Sequence, residues 1–329
     1  MINFRFHIIS LTAAFLAFTV GLLLGTNFLA DASKDYLQNQ IDSFANRLSD
    51  EKATNRELKG QIDSLEDEDK ALDPQIGERL FTGLLQSDPV LIIAPRGLTG
   101  DPNPVDRVTQ TLLQASAQPL GVWWLTDRLV LDDDEEVTDL STALGVTTTD
   151  PDALRQELAD QLGEALITAV AAASGDGGNA EPALLAKLHE AGFVDYQMPE
   201  GSDDEVIRLP ANGLRISVVT GDGAVIPDED VLQPTLEALA ADGPVPVVVS
   251  ETPVEAEDSN ADPTEPLVTA IRQDGDLRTR ISTVDDMDRV SGRVATVLAL
   301  DDAKPGAPVI GQYGMRVDAS RLLPTLPTE

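Results

Sequence analysis

The chain has 329 residues, a formal net charge of -34 and an isoelectric point near 4.1. A surface this acidic repels polyanions, so nucleic acid is excluded as an expected partner; the charge reads as a solvated, non-aggregating surface, since no ligand spacing supports a divalent-cation store. There are no cysteines and only two histidines, His7 and His189, which removes disulfides, thiolate metal sites and cysteine nucleophiles and leaves little material for a His-dependent triad.

Residues 1–7 form a short lead. Residues 8–30 then run for 23 positions without a charge until Asp31. At ~1.5 Å per residue this is ~35 Å of helix, enough to span a bilayer with some tilt. A cleaved signal peptide is the competing reading, because Ala30-Asp31-Ala32 resembles a small-x-small cleavage site. The length of the apolar run, against the ~7–15 residues of a signal core, favours an uncleaved anchor. Arg5, the α-amino group and His7 lie on the short side, and the other flank opens with Asp31. The basic bias is thin, but signal-anchor logic leaves the N-terminus cytoplasmic and sends the bulk of the chain outside the cytoplasm. Gly21 and Gly25 form a GxxxG pattern, which is either a membrane-helix contact face or the ordinary glycine content of such helices.

A heptad pattern occupies residues 33–73. With Leu37 at d, the d positions are Leu37, Phe44, Glu51, Leu58, Leu65 and Leu72, and the a positions are Ile41, Leu48, Asn55, Ile62 and Asp69. Eight of these eleven are apolar, which predicts a coiled coil. Asn55 at a central a position is the register device of a parallel dimer. The alternative is a single amphipathic helix docked on the globular part. Residues Arg47, Lys52, Lys59, Gln61, Glu66 and Glu68 at e and g show no clean self-pairing, which leaves room for a heterotypic partner helix. Pro74 ends the rod. At ~100° per residue, Gly21 and Gly25 lie roughly 150° from the heptad seam on a straight helix, so the two faces do not meet one partner without a break near residues 31–34.

Residues 88–324 are expected to form an α/β domain. After a short amphipathic piece at 76–85, the apolar run 89–94 reads as a buried parallel strand. Helix 104–117 and strand 120–125 follow, then helices 135–144, 151–173 and 182–191. A short strand at 193–196, strand 214–220, helix 228–241, strand 245–250, helix 266–273, strand 280–283 and helix 286–300 complete the alternation. Strands alternating with helices predict a doubly wound, mostly parallel sheet. Residues 176–179 and 255–263 read as surface loops.

Single residues add little chemistry. Arg96-Gly97-Leu98-Thr99-Gly100 follows the first strand at the usual ligand edge, but it lacks GxGxxG spacing and the P-loop ending, so it reads as a plain turn over an anion cradle. Residues 132–136 read as an acidic helix start. Trp123 and Trp124 point to opposite strand faces, and His189 lies on the polar side of its helix. Asp285, Asp286 and Asp288 read as a cap and first-turn acids of the last helix, which is expected to bury Met287, Val290, Val294, Val297 and Leu298 on one stripe. No nucleophile, base and orienter assemble, so no enzyme and no resident cofactor are expected.

Several stretches resemble a known family: the Phe4-Arg5-Phe6-His7 lead, the span ending Val20-Gly21-Leu22-Leu23-Leu24-Gly25, the heptads, residues 284–300, Gly311-Gln312-Tyr313-Gly314 and Leu322-Leu323-Pro324. Together they are similar to the actinobacterial copper-transporter (MctB-type) family, including its cell-separation (Ste-type) members. The resemblance covers most of the chain. It implies an envelope protein in copper export or homeostasis, or a homodimeric scaffold that binds a membrane partner and regulates a cell-wall hydrolase. It carries over no catalytic or metal-binding residue. The residues themselves do not favour bound copper. Cu(I) prefers soft sulfur and Cu(II) imidazole, whereas the chain offers two distant histidines and the scattered Met1, Met198, Met287 and Met315. Met287 and Met315 read as core or turn residues. A single span without a polar stripe makes a poor pore, and the βα pattern does not suit a membrane barrel.

Overall fold

The protein is described here by a computed structural model covering residues 7–24, 44, 47–49, 51–57, 59–60, 82–172, 182–210, 213–242, 246–252, 266–304 and 308–324. The chain divides into two units, Met1–Glu68 and Asp69–Glu329.

In the first unit, helix α1 covers His7–Leu24 and is apolar enough to cross a membrane. Its side chains are exposed along the whole length, as a lipid-facing helix requires. Thr12 and Thr19 donate their hydroxyls to the carbonyls of Ile8 and Phe15 at 2.8 and 2.7 Å. The described part of the heptad region, residues 44, 47–49, 51–57 and 59–60, is helical and exposed.

The second unit is built on a seven-stranded sheet in the order β3-β2-β1-β4-β5-β6-β7. Its strands are β1 (Pro89–Pro95), β2 (Gln118–Leu125), β3 (Val194–Gln197), β4 (Arg215–Thr220), β5 (Val247–Glu251), β6 (Ser282–Val284) and β7 (Gln312–Tyr313). All neighbours pair in parallel except β2 and β3, which are antiparallel. The helices are α2 (Pro104–Gln114), α3 (Asp134–Leu144), α4 (Pro151–Ala172), α5 (Ala183–Glu190), α6 (Leu232–Asp242), α7 (Leu267–Gln273) and α8 (Val290–Asp302).

Strand alternation divides the interior. Leu91, Ile93, Trp123, Ile216, Val218, Val247 and Val249 join the apolar faces of α3 to α7 in one cluster. Val90, Ile92, Val122, Trp124, Val219, Val248 and Val284 join α2 and α8 in the other. Each central strand is therefore buried on both faces, which is why it reads as a continuous apolar run. Trp123 and Trp124, adjacent in β2, are both buried, one in each cluster.

Local signals set several boundaries. Asn103 caps α2 by accepting from Val105 N, with Pro104 at its first turn, a position that suits a residue without an N–H. Asp133 caps α3 by accepting from Glu136 N, and Glu136 accepts in return from Asp132 N at 3.0 Å. Gly145, at φ 73°, ends that helix in the left-handed conformation. The acidic run 132–136 is thus a helix start.

Two helices begin later than their sequence suggests. The helix expected over 228–241 runs Leu232–Asp242, because Asp228 is held back by Thr220, whose hydroxyl donates to its carboxylate at 2.7 Å. The helix expected over 286–300 runs Val290–Asp302. Asp285, Asp286 and Asp288 are consequently not a cap and first-turn acids. Their loop folds back instead: Met287 N donates to Glu251 O at 3.2 Å and Arg289 N to Asp286 O at 2.9 Å. A Cβ on Gly292 would lie 2.0 Å from Asp286 O, so this glycine is what lets the loop sit against the helix. Nor does α8 bury a single stripe: Val290 and all residues from Gly292 to Leu300 are buried.

Candidate functional site

Parallel α/β sheets place ligands at the carboxyl ends of their strands. Here, the ends of β4 to β7 bring together several deeply buried charges of the second unit. Thr220 ends β4, Glu251 ends β5, Asp285 follows β6, and Gly314 follows β7 to begin a strap, residues 314–323.

Arg272, on α7, is the hub. Its Nη1 donates to Asp285 Oδ2 at 2.6 Å and to Asp318 Oδ1 at 2.9 Å, its Nε to Thr283 Oγ1 at 2.9 Å, and its Nη2 to Tyr313 O at 2.6 Å. The side chains of Arg272 and Asp285 are 2% and 1% exposed. At that depth each charge depends on the other, because neither reaches water. Asp285 Oδ1 also accepts from Met315 N at 2.7 Å. Gly314 sits at φ 134°, and a Cβ there would lie 2.2 Å from Asp285 Oδ1, so the strap turns onto the carboxylate only through a glycine.

A second pair lies beside the hub. Glu251 Oε2 accepts from Arg316 Nη1 at 3.1 Å and from Val268 N at 3.3 Å, and Arg316 Nη1 also reaches Thr269 Oγ1 at 3.3 Å. Burial pushes the Glu251 carboxyl up to about 7; the Arg316 guanidinium opposes the shift and nearby Asp228 adds to it. Burial likewise raises Asp228 to about 6 against the pull of its Thr220 hydrogen bond. Asp286 is raised to about 6, again by burial, partly offset by the Ser291 hydroxyl. Three carboxyl groups therefore change charge between about 6 and 7 at one edge of the sheet, where an unperturbed carboxylate would stay ionised.

The other carboxyl end of the sheet is more open. Arg96 pairs with Asp195 and lies 4.7 Å over the Trp124 ring. Gly97 packs so closely that a Cβ would meet Gly223 O at 2.4 Å. With its arginine committed and its glycine against another loop, the 96–100 segment is arranged as a turn and not as an open phosphate cradle. An open cleft of about 500 Å³ lies between α3 and α5. Its Arg128 is already bonded to Asp139 Oδ2 at 2.8 Å and Ala191 O at 2.7 Å. His189 is exposed and stacks on Tyr196 at 4.3 Å.

Of the residues singled out from the heptads and the membrane span, those described belong to the first unit. Phe44, Leu48 and Asn55 are helical and exposed in the first unit. Gly21 has open space around it. Leu37, Ile41, Leu58, Ile62, Leu65, Leu72 and Gly25 lie outside the described residues. Of the sulfur donors, Met287 is fully buried against Thr296 and Met315 is exposed on the strap. Among the described residues, no group of three or more His, Cys, Asp and Glu side chains is placed to hold a metal ion. Sequence gives little sign of Glu251, Arg272 and Arg316, which sit at the end of β5, in the last turn of α7 and in the strap beyond β7.

Comparison with known proteins gives a match over nearly the whole chain. Residues 1–324 match the family described as "Copper transport outer membrane protein, MctB". A protein named copper transporter MctB from Mycobacterium tuberculosis (strain ATCC 25618 / H37Rv) is 28% identical over 342 residues, covering 95% of this chain and 96% of the relative. The protein of that name from Mycobacterium bovis shows the same identity and coverage. The one from Mycobacterium leprae is 28% identical over 339 residues, covering 96% of each chain.

Proposed function

The chain belongs to the MctB copper-transport family, and from that premise we propose that it is a membrane-anchored, non-enzymatic cell-envelope protein acting in copper export or homeostasis. The observation that carries this reading is the family match across residues 1–324, which takes in the apolar helix and the α/β unit together. In this reading α1 is an uncleaved anchor, the N-terminus is cytoplasmic and the bulk of the chain is extracytoplasmic. The heptad region makes a parallel homodimer through Leu37, Ile41, Phe44, Leu48, Asn55, Leu58, Ile62, Leu65 and Leu72, with Gly21 and Gly25 as a contact face in the membrane. The sheet, with apolar clusters on both faces, is read as doubly wound. Copper is cargo of the process and not a resident cofactor: Met287 is sealed in the core and Met315 stands alone on the strap, a poor donor set for either oxidation state.

A second reading rests on the heptad pattern of residues 33–73 and the family resemblance: a dimeric scaffold that binds a membrane partner and regulates a cell-wall hydrolase during separation of dividing cells. One experiment separates the readings: a deletion strain scored side by side for copper sensitivity and for cell separation. Copper sensitivity alone supports the first, and chained cells with normal copper tolerance support the second. Titrating copper into the purified protein tests direct binding, and affinity no greater than that of a generic acidic protein removes it.

A further inference from the structure

The open cleft of about 500 Å³ between α3 and α5 is built around Arg128, which follows the carboxyl end of β2. Its guanidinium is held on several sides. Nη2 donates to Asp139 Oδ2 at 2.8 Å, Nη1 donates to Ala191 O at 2.7 Å, and the group lies 5.0 Å over the Phe193 ring. The 191–193 segment is itself tied to the end of β2: Thr126 Oγ1 donates to Gly192 O at 2.8 Å and Thr126 N to Phe193 O at 3.2 Å. The floor of the cleft is therefore fixed before anything enters it, which lowers the cost of ordering on binding. Lys187 and Glu190, on α5, line the same cleft and are exposed. Among the described residues neither is in an ion pair.

We propose that this cleft binds a short peptide with free termini, its carboxylate on Lys187 and its ammonium on Glu190. The charge balance of the lining selects that class. Arg128 and Lys187 stand against Asp139 and Glu190, so the cleft offers both signs in equal number within a chain that carries -34 overall. A net anion is repelled by the whole molecule, and a net cation is attracted to its acidic surface without preference for this place. A zwitterion gains most where an available ammonium and an available carboxylate lie side by side. Because Arg128 and Asp139 are already paired, those available groups are Lys187 and Glu190. They are three positions apart on one helix, which sets their Cβ atoms about 5–6 Å apart. That spacing suits charges separated by a peptide bond better than the adjacent charges of a single amino acid. Ala143, buried, and Ala191, half-buried, give small apolar walls against which short side chains can lie.

The test uses the full-length protein in detergent micelles and L-alanyl-L-alanine, with saturation-transfer NMR as the readout. Saturable binding with a Kd on the order of 1 mM is expected. K187M and E190Q are each expected to weaken it at least about fivefold while leaving the melting temperature unchanged, since both side chains are exposed. Capping the ligand assigns its ends. N-acetylation should weaken binding to the unaltered protein and cost nothing further in E190Q, and C-terminal amidation should do the same with K187M. No saturable binding below about 10 mM overturns the proposal. So does undiminished binding of the doubly capped dipeptide, or undiminished binding by K187M and E190Q, either of which identifies attachment that ignores the two charges.

Discussion

The two ends of one sheet edge carry ion pairs of nearly opposite character. At the β1–β2 end, Arg96 and Asp195 have side chains 43% and 48% exposed. At the β6–β7 end, Arg272 and Asp285 are almost completely removed from solvent. The partners are chemically alike, but only the second pair is obligatory. An exposed pair exchanges protein contact for hydration at little net gain. A buried pair replaces hydration that neither partner can recover while the fold stands. The contrast shows that depth, and not the presence of a salt bridge, decides which charges hold this molecule together.

The most severe way to break that contrast is to orphan the hub. Asp285→Ala leaves the Arg272 charge buried without its principal partner and is expected to destabilise the second unit by about 3–5 kcal/mol, read from denaturant unfolding. A smaller loss there, near that of an exposed pair, would show that water enters the site.

A pH series sharpens the comparison next. Glu251 has a value of about 7 in the folded protein against 4.5 ordinarily, so the folded chain binds a proton that the unfolded chain has released. The resulting stabilisation is complete below 4.5 and is lost as pH rises through about 7. Arg316, Asp228 and the Val268 N–H face this carboxyl; Asp228 titrates in the same sense near 6. Melting temperature is therefore expected to rise between pH 8 and pH 6. Glu251→Gln should remove on the order of 1 kcal/mol of that dependence, whereas Asp195→Asn should leave it intact.

Gly314→Ala places a methyl group against Asp285 in a strained backbone region and is expected to cost about 2 kcal/mol, with loss of amide protection concentrated in the strap. The smallest effect belongs to the open pair: Asp195→Asn should change stability by less than about 1 kcal/mol. A larger loss would mean that the Trp124 contact with Arg96 depends on Asp195.

Much of the sheet was legible because burial on both faces writes itself into composition. Val90 to Ala94, Ile216 to Val219 and Val247 to Val249 read as strands on sight. The charged network was not, because its partners lie far apart in the chain: Glu251 and Arg316 are 65 residues apart and Arg272 and Asp318 are 46 apart. The Asp285-Asp286-Met287-Asp288 run imitates a helix start, and only the close fit of Gly292 under Asp286 shows why the helix waits until Val290. In the first unit the situation is reversed. The heptads stand out as pattern, and most of their seam positions lie outside the described residues.

The side-by-side tryptophans of β2 give each half of the interior its own optical reporter. They are the chain's only two. Trp123 Nε1 is buried without a hydrogen-bond partner, while Trp124 Nε1 donates to Gln197 at 2.9 Å beneath the Arg96 guanidinium. Replacing either one by phenylalanine leaves a single emitter: a bluer one at Trp123 that follows the α3–α7 side, and a redder one at Trp124 that follows the α2–α8 side. Whether the two layers melt together or in sequence is thus readable from colour alone, without adding a label.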